Sequence, residues 1–251
     1  MPTALDIGQL RSRIAALEGV GHEMAAGAEP LGIAEIDATL PWNGLPLGCL
    51  HEVAPYSHAD GIQDGAALGF GAFLLGRLAA GAGKPVLWVA AGDEPYAPGL
   101  AALGLTPERL VTVRSFRAAE VLWAVEEGLR CRALGGVLAE LWKLDLTAAR
   151  RLQLAARNSG VTAVVLNHGE AIGPAVTRWR AQSIPSQAPP GEGVGTWSWR
   201  LELLRCRGRS VGDHGIVAAW DVEWDDETRG LRLAAAAGDR AIEQDSWRAA
   251  G

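Results

Sequence analysis

Apolar residues along this chain follow two rhythms. In the first, short runs of apolar residues occur at Leu50 to Val53, Pro85 to Ala90, Leu110 to Val113, Gly136 to Leu141 and Val161 to Leu166. Continuous runs of that length predict strands covered on both faces, as in parallel sheets. Between them lie longer segments with helical spacing: Ala66 to Ala82, Tyr96 to Leu103, Phe116 to Arg130 and Ala148 to Asn158. Val121, Leu122, Val125 and Leu129 make one apolar face of the third, while Thr147 is placed to cap the fourth and Gly160 to end it. Gly69, Gly71 and Gly76 interrupt the first of these helices. Glycine costs up to about 1 kcal/mol at an interior helix position, so close packing against a sheet is the expected compensation. Strands alternating with helices imply right-handed crossovers and a mainly parallel sheet.

After His168 the rhythm becomes β-rich. Val176 to Ser183 and Thr196 to Cys206 read as strands separated by a Pro/Gly-rich loop from Ile184 to Gly195. Val217 to Trp224 and Leu231 to Ala235 form a final hairpin about the polar turn at 225–230. At the other end, Leu10, Ile14 and Leu17 lie at helical spacing within Ala4 to Leu17, followed by a Gly/Ala/Pro-rich linker from Gly19 to Pro30. The expected fold class is therefore α/β: a mainly parallel sheet flanked by helices, with antiparallel strands in the C-terminal part and an N-terminal helix. Three regions are expected: helix and linker over 1–30, a core over 31–237, and a flexible tail over 238–251.

Composition narrows the chemistry. The 251 residues are 49% hydrophobic and 21% charged, enough for a substantial core. A formal net charge of −6 argues against a surface coated for nucleic acid. No apolar run approaches the roughly 18 residues of a membrane span and no export signal is visible, so a cytoplasmic location without membrane contact is expected. Cys49, Cys131 and Cys206 are neither paired in spacing nor near clustered histidines, which predicts inert thiols and no metal site. Ten tryptophans against two tyrosines and three phenylalanines suit core filling, with protein-interface anchoring as the alternative.

The segment from Gly48 to Gly65 has the context of a phosphate-binding loop: a strand, a glycine-bearing loop and then a helix. A working loop reads G-x-x-x-x-G-K-[ST], with Lys neutralising phosphates and the hydroxyl holding Mg²⁺. Here no Lys occurs from Gly48 to Ala82, and Gly65 is followed by Ala66 and Ala67. Asp60 and Asp64 place negative charge where a polyphosphate would sit.

The order of elements and several strings resemble the RecA ATPase core. "NGLPLGCLHEV" is similar to the turn and strand leading into its P-loop, and "GKPVLWVAAGDEPYAPGLAALGLTPERL" to its second strand and following helix. "RRLQLAARNSGVTAVVLNHG" is similar to the helix and strand ending in its nucleotide-sensing polar residue, and "GTWSWRLELLRCRGR" to its later antiparallel strands. Within that superfamily the chain resembles the ImuA family from about Ile7 to Ala235. The resemblance implies an accessory protein of error-prone translesion synthesis in the SOS response to DNA damage. Its partner would be an ImuB-type inactive homologue of Y-family polymerases, and through it an error-prone DNA polymerase. RecA and weak DNA contact are further partners it admits.

Departures from RecA define a degenerate nucleotide site at Ala54, Gly61, Asp64, Gly65 and Glu140. Glu140 stands where an Asp would hold a magnesium water, and reads more simply as a strand-end carboxylate. Asp93 and Glu94 lie near the place of the water-activating glutamate, but with no γ-phosphate site a general base has nothing to do. The segments 141–147 and 168–175, where recombinases carry long DNA loops, are short, and Asn167 and His168 read as structural. These features predict a non-catalytic protein with no cofactor.

One basic strip remains: Arg178, Arg180, Arg200, Arg205, Arg207 and Arg209, interleaved with Trp179, Trp197 and Trp199. Arginine with aromatic platforms suits single-stranded nucleic acid, whereas arginines alternating with core residues suit half-exposed strands. Arg178, Arg180, Arg205, Arg207, Arg209, Trp179 and Trp197 are thus candidates for DNA or partner contact. The acidic group Asp221, Glu223, Asp225, Asp226 and Glu227 would compete with DNA. Two further functions stay open: a SulA-like damage-induced inhibitor of cell division, and an ATP-binding RecA-type ATPase with an aberrant loop.

Overall fold

A computed structural model describes residues 27–55, 65–92, 95–169, 171–186, 195–211 and 215–234. The N-terminal helix and the tail expected from sequence lie outside these residues. A two-stranded ribbon, β1 (Ala28–Glu29) and β2 (Leu45–Pro46), flanks a short helix α1 (Ala34–Thr39). The remaining elements are β3 (Leu50–Pro55), α2 (Gly65–Ala82), β4 (Val86–Ala90), α3 (Ala97–Ala102), β5 (Leu110–Arg114) and α4 (Ala118–Arg130). They continue with β6 (Gly136–Leu141), α5 (Leu146–Ser159), β7 (Thr162–Asn167), β8 (Thr177–Ser183), β9 (Ser198–Cys206), β10 (Ala218–Asp225) and β11 (Gly230–Leu233). Strands β3 to β11 make one nine-stranded sheet ordered β11-β10-β9-β8-β3-β7-β6-β4-β5. The six strands from β8 to β5 in that order are mutually parallel, and β9, β10 and β11 are antiparallel. The fold class is α/β.

The helices divide between the two faces by the direction in which the chain travels. From β3 through β4 to β5 it moves outward, and α2 and α3 pack on one face with Phe70, Leu74, Leu78, Trp88, Leu100, Leu138 and Trp179. From β5 back through β6 to β7 it returns, and α4 and α5 cover the other face with Leu87, Val125, Leu129, Val137, Leu152 and Val165. That division is what right-handed crossovers require. Every residue of β3, β4, β6 and β7 is buried, so their continuous apolar runs were a sound guide. In β8 burial alternates, because α2 covers one face and the other is open. Helix α2 is long and apolar enough to cross a membrane by length and composition. Its packing against β3, β4, β6, β7 and β8 accounts for that character.

Two local expectations need correction. Asp145, not Thr147, caps α5: its extended backbone lets the carboxylate accept from the Ala148 N–H at 2.7 Å, and Thr147 already lies in the first turn. Gly160 ends the helix in the left-handed conformation, as expected. Of the α2 glycines, Gly71 meets Leu166 and Leu138 on the sheet and Gly69 meets the Trp199 ring. Gly76 instead faces the end of α3, where an added methyl would lie 2.1 Å from the Leu103 carbonyl oxygen. Helix α1 was not legible, having under two turns. It is held by Ile36 in the core and by Asp37, which accepts from the Leu31 and Gly32 N–H groups.

A buried polar chain threads the middle of the sheet. Trp179 Nε1 donates to Thr177 Oγ1 at 2.9 Å, and the Thr177 hydroxyl lies 2.7 Å from His51 Nδ1. His51 Nε2 lies 2.8 Å from the Pro46 carbonyl oxygen, which can only accept. The proton therefore sits on Nε2, and Nδ1 accepts from Thr177. Burial pushes the His51 pKa from 6.5 down to about 4, and the Pro46 bond opposes this only in part. In the unfolded chain His51 takes up a proton at pH 6.5 that the folded state refuses. Stability is thus complete above pH 6.5 and falls as pH drops towards 4, by about 1.4 kcal/mol per unit and about 3 kcal/mol in all. Urea midpoints measured from pH 7.5 to 4.5 should show this slope, reduced in His51→Gln. In the same assay Gly76→Ala should lower stability by about 1–3 kcal/mol, because the clash with Leu103 outweighs the gain in helix propensity.

Candidate functional site

The carboxyl ends of the central strands are where an open parallel sheet receives a ligand. Strand β3 runs through Ala54, which is buried, and α2 begins at Gly65. Gly61 and Asp64, like Asp93 and Glu94, lie outside the described residues. The first turn of α2 presents Gly65, Ala66, Ala67 and Leu68, with the two alanines packed into the core. It therefore offers neither an ammonium nor a hydroxyl to a phosphate or its magnesium.

On the neighbouring strands the polar groups are engaged with one another. Glu140, second from the end of β6, is buried and accepts from Trp88 Nε1 at 2.7 Å. Burial raises its pKa, partly offset by the bonds from Trp88 and the Ala91 backbone. Glu52 on β3 is fully buried and accepts from Asn167 Nδ2 at 2.6 Å and from the Ile172 N–H at 3.0 Å. Arg178 Nε lies 3.5 Å from the same carboxylate. Asn167 in turn accepts from the Gly169 N–H at 3.1 Å. One buried carboxylate thus ties β3, β7, β8 and the crossover after β7 together. Among the described residues no cluster of three or more His, Cys, Asp or Glu side chains could hold a metal.

The basic strip separates into two faces. Trp179 and Trp199 point towards α2 and are buried; Trp179 packs edge-on against Phe70 at 5.5 Å. Arg178 and Arg180 point to the opposite, open face, as strand alternation demands. There Arg180 Nε donates to Glu202 at 2.7 Å, and Arg200 pairs with Glu202 at 3.4 Å and with Asp221 at 3.1 Å. The result is a ladder of alternating charge across β8, β9 and β10. Arg205, Arg207 and Arg209 donate to the carbonyls of Gly173, Pro174 and Ala38. The structure does not bring the arginines and Trp179 together as an aromatic and cationic platform. Trp197 is 42% exposed and stands beside Trp199 and Trp224. With Tyr96, Leu100 and Gly69 it lines an apolar cleft of about 450 Å³ between α2, α3 and β9.

Sequence reasoning missed Glu52 and the pair formed by Trp142 and His168, whose rings stack at 4.9 Å beyond β6 and β7. A charged residue inside the apolar run of β3 was the available signal for Glu52. Glu140→Gln keeps an oxygen to accept from Trp88 and removes the buried charge. It should be more stable than the parent protein at pH 7. Thermal melts should show the advantage shrinking as pH falls and the parent Glu140 becomes protonated.

Comparison with known proteins bears on what such a site belongs to. No family model matches the chain. Two curated relatives do, both Protein ImuA of Caulobacter vibrioides, from strains NA1000/CB15N and ATCC 19089/CB 15. Each is 38% identical over 197 residues, covering 72% of this chain and 79% of the relative. Identity of that level over most of both chains shows common descent, and the chain belongs to the ImuA family.

Proposed function

We propose that the chain is a non-catalytic accessory protein of damage-inducible, error-prone translesion synthesis. On this reading it is a RecA-like scaffold kept for its surfaces. It joins an ImuB-type polymerase homologue and, through that protein, an error-prone DNA polymerase. The observation that carries the reading is the state of the carboxyl edge. Glu140 is bound to Trp88, Glu52 to Asn167 and Ile172, and α2 opens on Gly65-Ala66-Ala67. Polar groups that an ATPase would turn towards nucleotide and magnesium here satisfy each other, and the helix N-terminus lacks the side chains of a phosphate cradle. Family membership supports the same direction.

Calorimetric titration with ATP and Mg²⁺ should give no saturable heat, and a micromolar Kd would overturn the non-catalytic part. The full chain should co-purify with the ImuB-type protein. Deletion of the gene should reduce damage-induced mutagenesis. Absence of both effects would remove the adaptor role.

A further inference from the structure

Strands β8 and β9 pair across one irregularity. Thr177 stands opposite Cys206 and Arg178 opposite Arg205, but Trp179 stands opposite Leu203, which leaves Leu204 as an extra residue. Bulges of this kind re-aim side chains. Here the shift sets an arginine, in place of Leu204, directly across from Arg178 on the face that α2 leaves open. Like charges in directly opposed positions, with Cβ atoms about 5 Å apart, repel one another.

Neither guanidinium is fully matched. Arg178 Nε lies 3.5 Å from a Glu52 oxygen that already accepts from Asn167. That Nε is buried and has no hydrogen-bond partner among the described residues. Arg205 donates to the Gly173 carbonyl and makes no ion pair among the described residues. Arg180, two residues along β8 on the same face, is paired with Glu202. All three arginines border a cavity of about 390 Å³ whose apolar walls include Ile172, Leu204 and Ile216. Among the described residues no carboxylate borders it.

We infer that this cavity receives a carboxylate side chain, together with an apolar neighbour, from a segment of a partner protein. Guanidinium forks match a carboxylate in geometry and in charge. The apolar walls and the volume suit a group larger than a bare ion. A nucleic-acid strand fits less well, because its phosphates recur at every nucleotide. Beside the cavity the same face carries Glu202, Asp221 and Glu223, on a chain of net charge −6. Flanking phosphates would meet those carboxylates, whereas a single carboxylate meets the arginines alone. The inference deepens the adaptor reading, from which it takes that the partner is a protein.

The probe is a fluorescent peptide of alternating leucine and glutamate, titrated into the full chain and followed by anisotropy and by the arginine Nε–H resonances in NMR. Saturable binding is expected, shifting the Arg178 and Arg205 resonances and leaving that of Arg77 in place. Arg205→Gln should weaken binding at least 10-fold with a melting temperature within a few degrees of the parent, since this exposed side chain holds one carbonyl. Ile216→Glu, which brings a carboxylate to the cavity from the chain itself, should weaken it as much. Arg232→Gln, whose parent side chain pairs with Glu223 and does not border the cavity, should bind like the parent. Absence of saturable binding, equal binding by Arg205→Gln, or an equal loss in Arg232→Gln overturns the inference. So does an oligothymidylate that binds more tightly than the peptide and depends equally on Arg205, since nucleic acid would then be the occupant. Inorganic phosphate that shifts both resonances with the peptide's affinity also overturns it, because the apolar neighbour would contribute nothing. Failure to co-purify with the polymerase homologue would sink the adaptor reading and leave each of these measurements standing.

Discussion

The buried carboxylate of Glu52 sets the terms for the centre of this molecule. It lies on a strand covered on both faces, where an unmatched charge would cost several kcal/mol. The fold surrounds it with Asn167 from β7, the Ile172 amide from the following crossover and Arg178 from β8. These contacts bring the last parallel strand against β3 without an intervening helix. Ile172 and Ala175, from the described part of the crossover after β7, join the core on the face that α4 and α5 cover. Through Asn167, the last residue of β7, an interaction that holds the sheet together also engages a polar group at the carboxyl edge.

The same logic extends along the neighbouring strands. His51, Thr177 and Trp179 satisfy one another on the α2 face, and Trp88 satisfies Glu140 at the end of β6. Leaving a buried polar group unmatched costs about 1–3 kcal/mol, so each of these pairings constrains which side chains its neighbours can carry. On the open face of β8, β9 and β10 the constraint relaxes, and Arg180, Glu202, Arg200 and Asp221 form a charge ladder partly in contact with water. Ion pairs of that exposure contribute up to about 1 kcal/mol each. Their larger effect is to pair two of the six arginines of a strip that looks strongly basic in sequence.

Much of the fold was legible because covered parallel strands leave an unmistakable trace. The runs ending at Ala90, Leu141 and Leu166 were read to within one residue of the strands β4, β6 and β7. Gly160 marked the end of α5 because only a left-handed residue suits that position. Thr147 and Asp145 are both competent caps two residues apart, and the exit path from β6 decides between them. Gly76 carried the right message, close approach, with the wrong neighbour, since the α3 end reaches α2 only in the folded chain. The candidate site was less legible. Glu52 is hidden in an apolar string, and Trp179 alternates along β8 with arginines that point to the other face.

By itself the sequence determined the alternation of strand and helix, the absence of a lysine and hydroxyl at the start of α2, and the family, because each is written in local strings. Tertiary structure decided which polar residues face one another, since Glu52 and Asn167 are 115 positions apart and meet only through strand order. It also decided which strand is left uncovered. Leu110 to Arg114 looks like any other strand in the chain, and only the sheet order puts it at an edge that α4 does not reach. Periodicity reports how a segment is built, whereas sidedness and neighbours follow from where the whole chain carries it.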